Sequence, residues 1–345
     1  MNIRIDISHL HKANAFRGVG IYTDFLVQHL KKISGMQVHL YAGGRKHKID
    51  VVHYPYFDLF FHTLPLHKEA KTVVTIHDVI PLIFPQRYKP GVKGMIRFFL
   101  QLMSLRTVSA IITDSECSKK DIMKYLGMPK EKIHVVYLAG NPGMRRQASE
   151  VVRRVALQYK LPQKYVLYVG DINYNKNLPR CIEAFSKLPD EYSLVMVGRS
   201  LKNIDIPEGA ALQEAIQKNK VDSRVLLLTE VPKDPIADLA AIFTQASLYI
   251  QPSLYEGFGL SVLDALQCGV PVVSSNTSSL PEIGGTIVEY CNPYDSEDMA
   301  RAMINVLSRK QSMIGRKVLE KHADHFRWEK TAEKTAKIYE KVVER

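Results

Sequence analysis

Two doubly wound α/β domains, each built on a parallel sheet with helices on both faces, are what this sequence predicts. Three observations carry the expectation. The chain has 345 residues, too many for one ordinary core and enough for two domains of roughly 150 residues each. Short apolar runs rich in Val, Ile and Tyr alternate with longer amphipathic stretches. The second half then repeats the alternation of the first.

In the first half the strand candidates are Ile3 to Ile7, Val38 to Tyr41, Val51 to Tyr54, Thr72 to Ile76, Ala110 to Thr113 and Ile133 to Val136. Helix candidates lie between them. Ile21 to Ile33 sets Phe25, Leu26, His29 and Leu30 on one face at 3.6-residue spacing. Val92 to Ser104 is the second. Lys119 to Leu126 is the third, with Ser118 just before it as the expected cap. The charged stretch from Arg145 to Arg154, ahead of Leu161 and Pro162, marks the boundary. It gives domains over 1–150 and 160–327. Beyond it Tyr165 to Val169 is almost wholly apolar, as a strand buried on both faces must be. Ser193 to Val197, Val225 to Leu228, Ser247 to Ile250 and Val270 to Ser274 follow, each separated by a helical segment.

Composition narrows the class. With 46% hydrophobic and 24% charged residues the chain is globular. No apolar run reaches the ~18 to 20 residues that span a bilayer, and Met1 to Leu10 lacks an apolar signal core. Cys117, Cys181, Cys268 and Cys291 are scattered without metal-type pairing, which reads as reduced thiols in a cytoplasmic protein. Charge is one-sided. Residues 1–150 hold 22 Lys and Arg against 11 Asp and Glu, or +11, and the remainder 25 against 24, or +1, which sum to the +12 of the chain. A basic half suits phosphorylated ligands, anionic lipid or nucleic acid. Against nucleic acid, no reading module and no interleaved basic and aromatic platform is present. For lipid, Arg87, Lys89, Lys93 and Arg97 surround an apolar stretch through Met95, Ile96, Phe98, Phe99 and Leu102. That composition suits an interfacial helix, peripheral on the inner face of the cell membrane. The alternative is a core helix with its apolar face turned inward.

The densest chemical signal runs from Pro252 to Val273. After a strand, a loop carries Glu256, and Gly257-Phe258-Gly259-Leu260 opens a helix that Gly269 ends. The first amides of that helix favour an anion. Glu256 and Asp264, eight residues apart, are expected on one side. A second string, Tyr168-Val169-Gly170-Asp171-Ile172-Asn173-Tyr174-Asn175-Lys176-Asn177-Leu178, joins a strand to a glycine loop, a lysine and a helix start. In the first half Arg17-Gly18-Val19-Gly20-Ile21-Tyr22 precedes a helix. It lacks the third glycine and the tight turn that a nicotinamide site wants. His77-Asp78 follows a buried strand, at the end where α/β sheets place functional groups.

Together these strings resemble the retaining glycosyltransferases of family 4, whose GT-B fold sets two Rossmann-like domains facing across a cleft. The resemblance covers nearly the whole chain. It implies that Glu256 holds donor-sugar hydroxyls and that Gly257, Phe258, Gly259 and Leu260 hold the diphosphate and sugar. It implies that position 264 binds the ribose. Here that residue is Asp264, one methylene shorter than the family's Glu. Lys176 matches the lysine that binds the diphosphate beside Gly170. The family's neighbouring Arg is replaced by Asn175 or Asp171, and Arg199 is the candidate substitute. Gly18 and Gly20 match glycines that face the diphosphate, and His77 a histidine near the donor sugar. Main chain near Val231 is expected at the base. Asp114 and Glu282 match family positions and read as a cap and a turn. Trp328-Glu329-Lys330-Thr331 resembles the start of a last helix, 328–345, that packs back on the first domain. The motif style is that of mannosyltransferases of polysaccharide assembly. It implies GDP-mannose as donor, a glycan or lipid-linked acceptor, and no metal or other cofactor. A UDP-sugar-dependent enzyme of the same fold stays open, as does a relative that binds sugar nucleotide without turnover.

Overall fold

The structure, a computed structural model, describes residues 1–8, 18–41, 48–230, 235–308 and 315–344. The chain divides into two compact units, Met1–Ala139 with Phe326–Arg345, and Gly140–His325. The division falls earlier than residue 150 because the intervening segment is bonded into the second unit. There the Asn141 amide approaches Asp264 Oδ1 at 3.4 Å, and the Gln147 amide donates to Thr244 Oγ1 at 3.1 Å.

The first unit contains β1 (Asn2–Asp6), α1 (Gly18–Leu30), β2 (Gln37–Tyr41), β3 (Val51–Tyr54), β4 (Lys71–Thr75), α2 (Ile80–Ile83), α3 (Gly91–Arg106), β5 (Ala110–Thr113), α4 (Glu116–Leu126) and β6 (Ile133–Val135). Its six strands lie in the order β2-β1-β3-β4-β5-β6 and all pairings are parallel. The apolar runs of the inner strands β1, β3, β4 and β5 are buried on both faces, as parallel sheets require, whereas the edge strand β2 leaves Leu40 exposed. Two expectations about helix starts are corrected. Helix α1 spans Gly18–Leu30, so Gly18 and Gly20 lie within it and do not precede it. Helix α4 is capped by Ser115, not Ser118. Ser115 is extended and its hydroxyl accepts the Ser118 amide, which already lies within the helix.

The second unit contains α5 (Ser149–Tyr159), β7 (Tyr165–Val169), α6 (Leu178–Phe185), β8 (Ser193–Val197), α7 (Pro207–Lys218), β9 (Val225–Leu228), α8 (Pro235–Gln245), β10 (Leu248–Gln251), α9 (Leu260–Gln267), β11 (Val272–Ser275), α10 (Leu280–Gly284), β12 (Glu289–Cys291), α11 (Ser296–Ser308) and α12 (Arg316–Ala323). Its parallel sheet runs β12-β11-β10-β7-β8-β9. Strand β12 has no long apolar run to announce it, being a three-residue edge strand with only Cys291 buried. The chain ends in α13 (Trp328–Glu344), which belongs to the first unit. Trp328 stacks on Phe25 with centroids 5.3 Å apart, and the Tyr339 hydroxyl lies 2.6 Å from His53 Nδ1. Among the described residues no helix is long and apolar enough to cross a membrane.

Candidate functional site

The order of the second sheet places its first strand, β7, between β10 and β8. Successive crossovers therefore leave β7 in opposite directions, and the loops after β7 and β10 diverge from a topological switch point, where open α/β sheets take ligands. Lys176 lies on the first of these loops and Glu256 on the second, and the structure brings them together. Lys176 Nζ donates to Glu256 Oε1 and Oε2 at 2.7 and 2.9 Å. Glu256 Oε1 also accepts from Ser253 Oγ at 2.6 Å and Gln251 Nε2 at 2.9 Å. Gln251 is itself held by the Tyr249 hydroxyl. Burial keeps that phenol neutral, its pKa pushed well above the ordinary value. A buried carboxylate with this many donors is satisfied and fixed in direction.

Sequence reasoning named Lys176 and Glu256 separately and missed both their pairing and what fixes it. Asn177 takes a left-handed conformation, φ 59°, and its side-chain amide donates to the carbonyls of Pro252 and Pro293 at 3.0 and 2.8 Å. It clamps the Lys176 loop to the Glu256 loop. Asn175, where the family has a cation in one arrangement, is buried and donates to the Tyr255 carbonyl at 2.9 Å. Its role here is to pin the loop. Ser279 Oγ reaches the carbonyls of Glu256 and Phe258 at 3.0 and 2.8 Å, and the Glu256 amide donates to Ser278 Oγ at 2.9 Å. These polar residues carry no motif signal, because their partners lie far away in the chain.

The glycines have distinct uses. Gly259 caps α9 with φ 114°, a conformation that a side chain resists. A Cβ on Gly198, after β8, would sit 2.1 Å from the Gly170 carbonyl, so the ends of β7 and β8 approach backbone to backbone. Arg199 follows, exposed just past the C-terminal end of β8, the neighbour of β7, which ends at Val169.

Asp264 does not join the Lys176–Glu256 group. Among the described residues, the hydrogen-bond partner of its carboxyl is the distant Asn141 amide. Burial raises its pKa to about 7, opposed by that amide. Gly257, Phe258 and Leu260 lie on the turn and first position of α9, with Phe258 buried. Val231 lies outside the described residues. No group of three His, Cys, Asp or Glu side chains able to hold a metal ion occurs among the described residues.

In the first unit His77 follows β4. Its Nδ1 lies 2.7 Å from Asp114 Oδ2 and its Nε2 3.2 Å from the Pro55 carbonyl. Both partners are acceptors, so the protonated ring satisfies both. Burial opposes that charge, but the charge and hydrogen bond of Asp114, with help from Asp78 and the Pro55 carbonyl, outweigh it and raise the His77 pKa. Burial also pushes the Asp114 carboxyl up. The acceptor-only surroundings of the ring support the imidazolium–carboxylate form. Asp114, read from sequence as a cap, is therefore the partner of His77, and its Oδ1 is buried without a hydrogen bond. Tyr22 packs edge-on against the imidazole, with centroids 4.9 Å apart, and shares a 3.0 Å hydrogen bond with Thr75. The Gly-x-Gly-x-Tyr string thus supplies a wall to the His77 site.

Residues 153–325 match the family described as glycosyl transferases group 1, and residues 40–139 the one described as glycosyltransferase family 4. The chain is 28% identical to O-antigen chain mannosyltransferase B of Escherichia coli, over 82% of its own length and 74% of the relative's. It is 29% identical to the serotype-specific mannosyltransferase WbdA of Escherichia coli over 69% of its length, spanning 29% of that protein. Among solved structures, Alr3699/HepE of Anabaena in complex with UDP and glucose is similar, with a TM-score of 0.75 at 15% identity and 98% of both chains covered. That likeness shows the fold, the GT-B type with its two parallel six-stranded sheets.

Proposed function

The chain belongs to the group 1 glycosyl transferases, and from that premise we propose that it is a retaining hexosyltransferase that moves mannose from GDP-mannose to a hydroxyl of a glycan or lipid-linked acceptor. The observation that carries the reading is the Lys176–Glu256 pair at the switch point of the second sheet. In the proposed reaction the bond from the anomeric carbon to the diphosphate breaks. The bond from that carbon to the acceptor oxygen forms on the same face. The acceptor proton passes to the leaving phosphate oxygen. Lys176 meets the charge that develops on the departing diphosphate, assisted by the open amides of α9. Glu256 accepts hydrogen bonds from hydroxyls of the sugar, Asp264 from those of the ribose, and His77 contacts the donor sugar. Mannose is favoured by the names of the two mannosyltransferase relatives. The UDP-sugar reading draws on the UDP and glucose in HepE.

A thermal-shift screen against GDP-, UDP- and ADP-sugars tests the donor. A ligand at 100 times its dissociation constant adds about 2.7 kcal/mol of stability. Stabilisation by GDP-mannose, with transfer giving a product of unchanged anomeric configuration, supports the proposal. Stabilisation by a UDP-sugar alone moves the assignment to the second reading. Donor binding with neither hydrolysis nor transfer makes the protein a binding relative.

A further inference from the structure

Helix α3 is apolar on two sides: Phe98 and Leu102 pack against the core of the first unit around the buried Leu105, and a second apolar stripe faces outward. The residues it buries are Gly94, Gln101, Ser104 and Leu105, of which two are polar. Gln101 Nε2 donates to the Asp58 carbonyl at 2.9 Å and to Thr63 Oγ1 at 2.8 Å, while its Oε1 accepts the Leu64 amide at 3.2 Å. Ser104 Oγ is placed against the Leu64 and Pro65 carbonyls at 3.1 and 2.6 Å. These bonds fix the rotation of α3 about its own axis. What points outward is apolar. Val92, Met95, Ile96, Phe99 and Met103 recur at i, i+3, i+4, i+7 and i+11, one stripe of a helix, and are between 46% and 79% exposed. Phe61, also exposed, stands beside the helix with the Arg97 guanidinium 5.5 Å from its ring centroid.

A contiguous exposed apolar stripe marks a contact surface, and charge decides what it contacts. Lys93 and Arg97 lie one turn apart along one margin, Arg106 closes the far end, and Arg87 and Lys89 come just before the helix. Helix α3 contains no acidic residue. A second copy packed face to face would set these cations against their own kind. An anionic bilayer meets both features, taking apolar side chains at the headgroup boundary and basic ones at the phosphates. We infer that α3, with Phe61, docks the protein on an anionic lipid surface. Docking rests on the proposed function only for its purpose, access to a lipid-linked acceptor.

The test is co-sedimentation of the full-length protein with phosphatidylcholine vesicles, with and without phosphatidylglycerol. Binding is expected only with the anionic lipid and is expected to fall with added salt. Each basic group at such a surface contributes roughly fivefold, so Lys93→Gln with Arg97→Gln is expected to weaken partitioning about thirtyfold. Ile96→Ser with Phe99→Ser is expected to weaken it too, by removing the inserted side chains. Both double variants are expected to keep the donor-induced thermal shift, which separates loss of docking from failure of the proposed activity. Absent binding, equal binding to neutral and anionic vesicles, or binding unchanged in both double variants overturns the inference. A dimer in analytical ultracentrifugation that Phe99→Ser dissociates also overturns it, and gives the face to a second copy.

Discussion

Asp264→Asn probes the ribose position and the buried carboxyl at once. Burial raises the Asp264 pKa from 3.8 to about 7. The folded protein therefore holds that proton more tightly than the unfolded chain. The stability that this supplies is fully present below 3.8 and is lost as the pH climbs to about 7. A rise of that size corresponds to about 4 kcal/mol. The residue keeps part of its surface in contact with solvent, so half of that, about 2 kcal/mol, is the better expectation. Asn carries no such penalty. Relative to the parent, Asp264→Asn is expected to gain stability progressively between pH 4 and 7 and to level off above that. At pH 8 the second unit should melt some 4 to 8 °C higher. Donor binding moves the other way. A ribose held by an ionised carboxylate binds more tightly as the pH rises toward 7, and Asn is expected to bind at least tenfold more weakly with no pH trend. Asp264→Glu, with its longer reach, is expected to bind donor at least as well as the parent. Differential scanning calorimetry and donor titration across this pH range measure both effects. A melting difference that is the same at pH 5 and pH 8 refutes the buried-carboxyl argument. Unchanged donor affinity in Asp264→Asn refutes the ribose role.

The other predictions concern the fixed elements of the site. Glu256→Gln and Lys176→Ala are each expected to lower kcat about a hundredfold, roughly 3 kcal/mol, with the fold retained; near-parental turnover in both would remove the site assignment. Asp114→Asn is expected to lower the His77 pKa, seen by NMR titration of the imidazole, and to reduce turnover. The His77 pKa is raised, so its pairing stabilises fully below 6.5 and fades as the pH rises through the folded value. An unmoved imidazole titration in that variant would make Asp114 a bystander. Gly259→Ala must adopt φ 114° and bring its Cβ within 2.9 Å of Leu280 Cδ2; it is expected to cost about 1 to 3 kcal/mol in denaturant unfolding, and a neutral result would show that the α9 cap relaxes freely.

What was legible in the sequence was local, and what was hidden was long-range. The alternating strands and helices could be read because burial on both faces of a parallel sheet leaves apolar runs, and β12 escaped because a short edge strand needs none. Glu256 and Lys176 could be named separately, each inside a recognisable string, but nothing in either string says that they touch. They are 80 residues apart and meet because β7 and β10 are neighbours in the sheet, a fact of topology. The same reason hid Asp114, 37 residues from His77, and Asn177, whose side chain reaches Pro252 and Pro293. The pairing also bears on how the site works. Without donor, Lys176 and Glu256 neutralise each other in a half-dry setting, and neither is left as an uncompensated buried charge. In the proposed reading a diphosphate would compete with Glu256 for the ammonium, while sugar hydroxyls would compete with the ammonium for Glu256. Each exchange makes the other easier, so the diphosphate and the sugar are expected to bind more tightly joined than the separate fragments would suggest. Calorimetric titration of nucleoside diphosphate, free sugar and intact donor measures that coupling. Equal and additive affinities would show that Lys176 and Glu256 remain paired when the donor is bound.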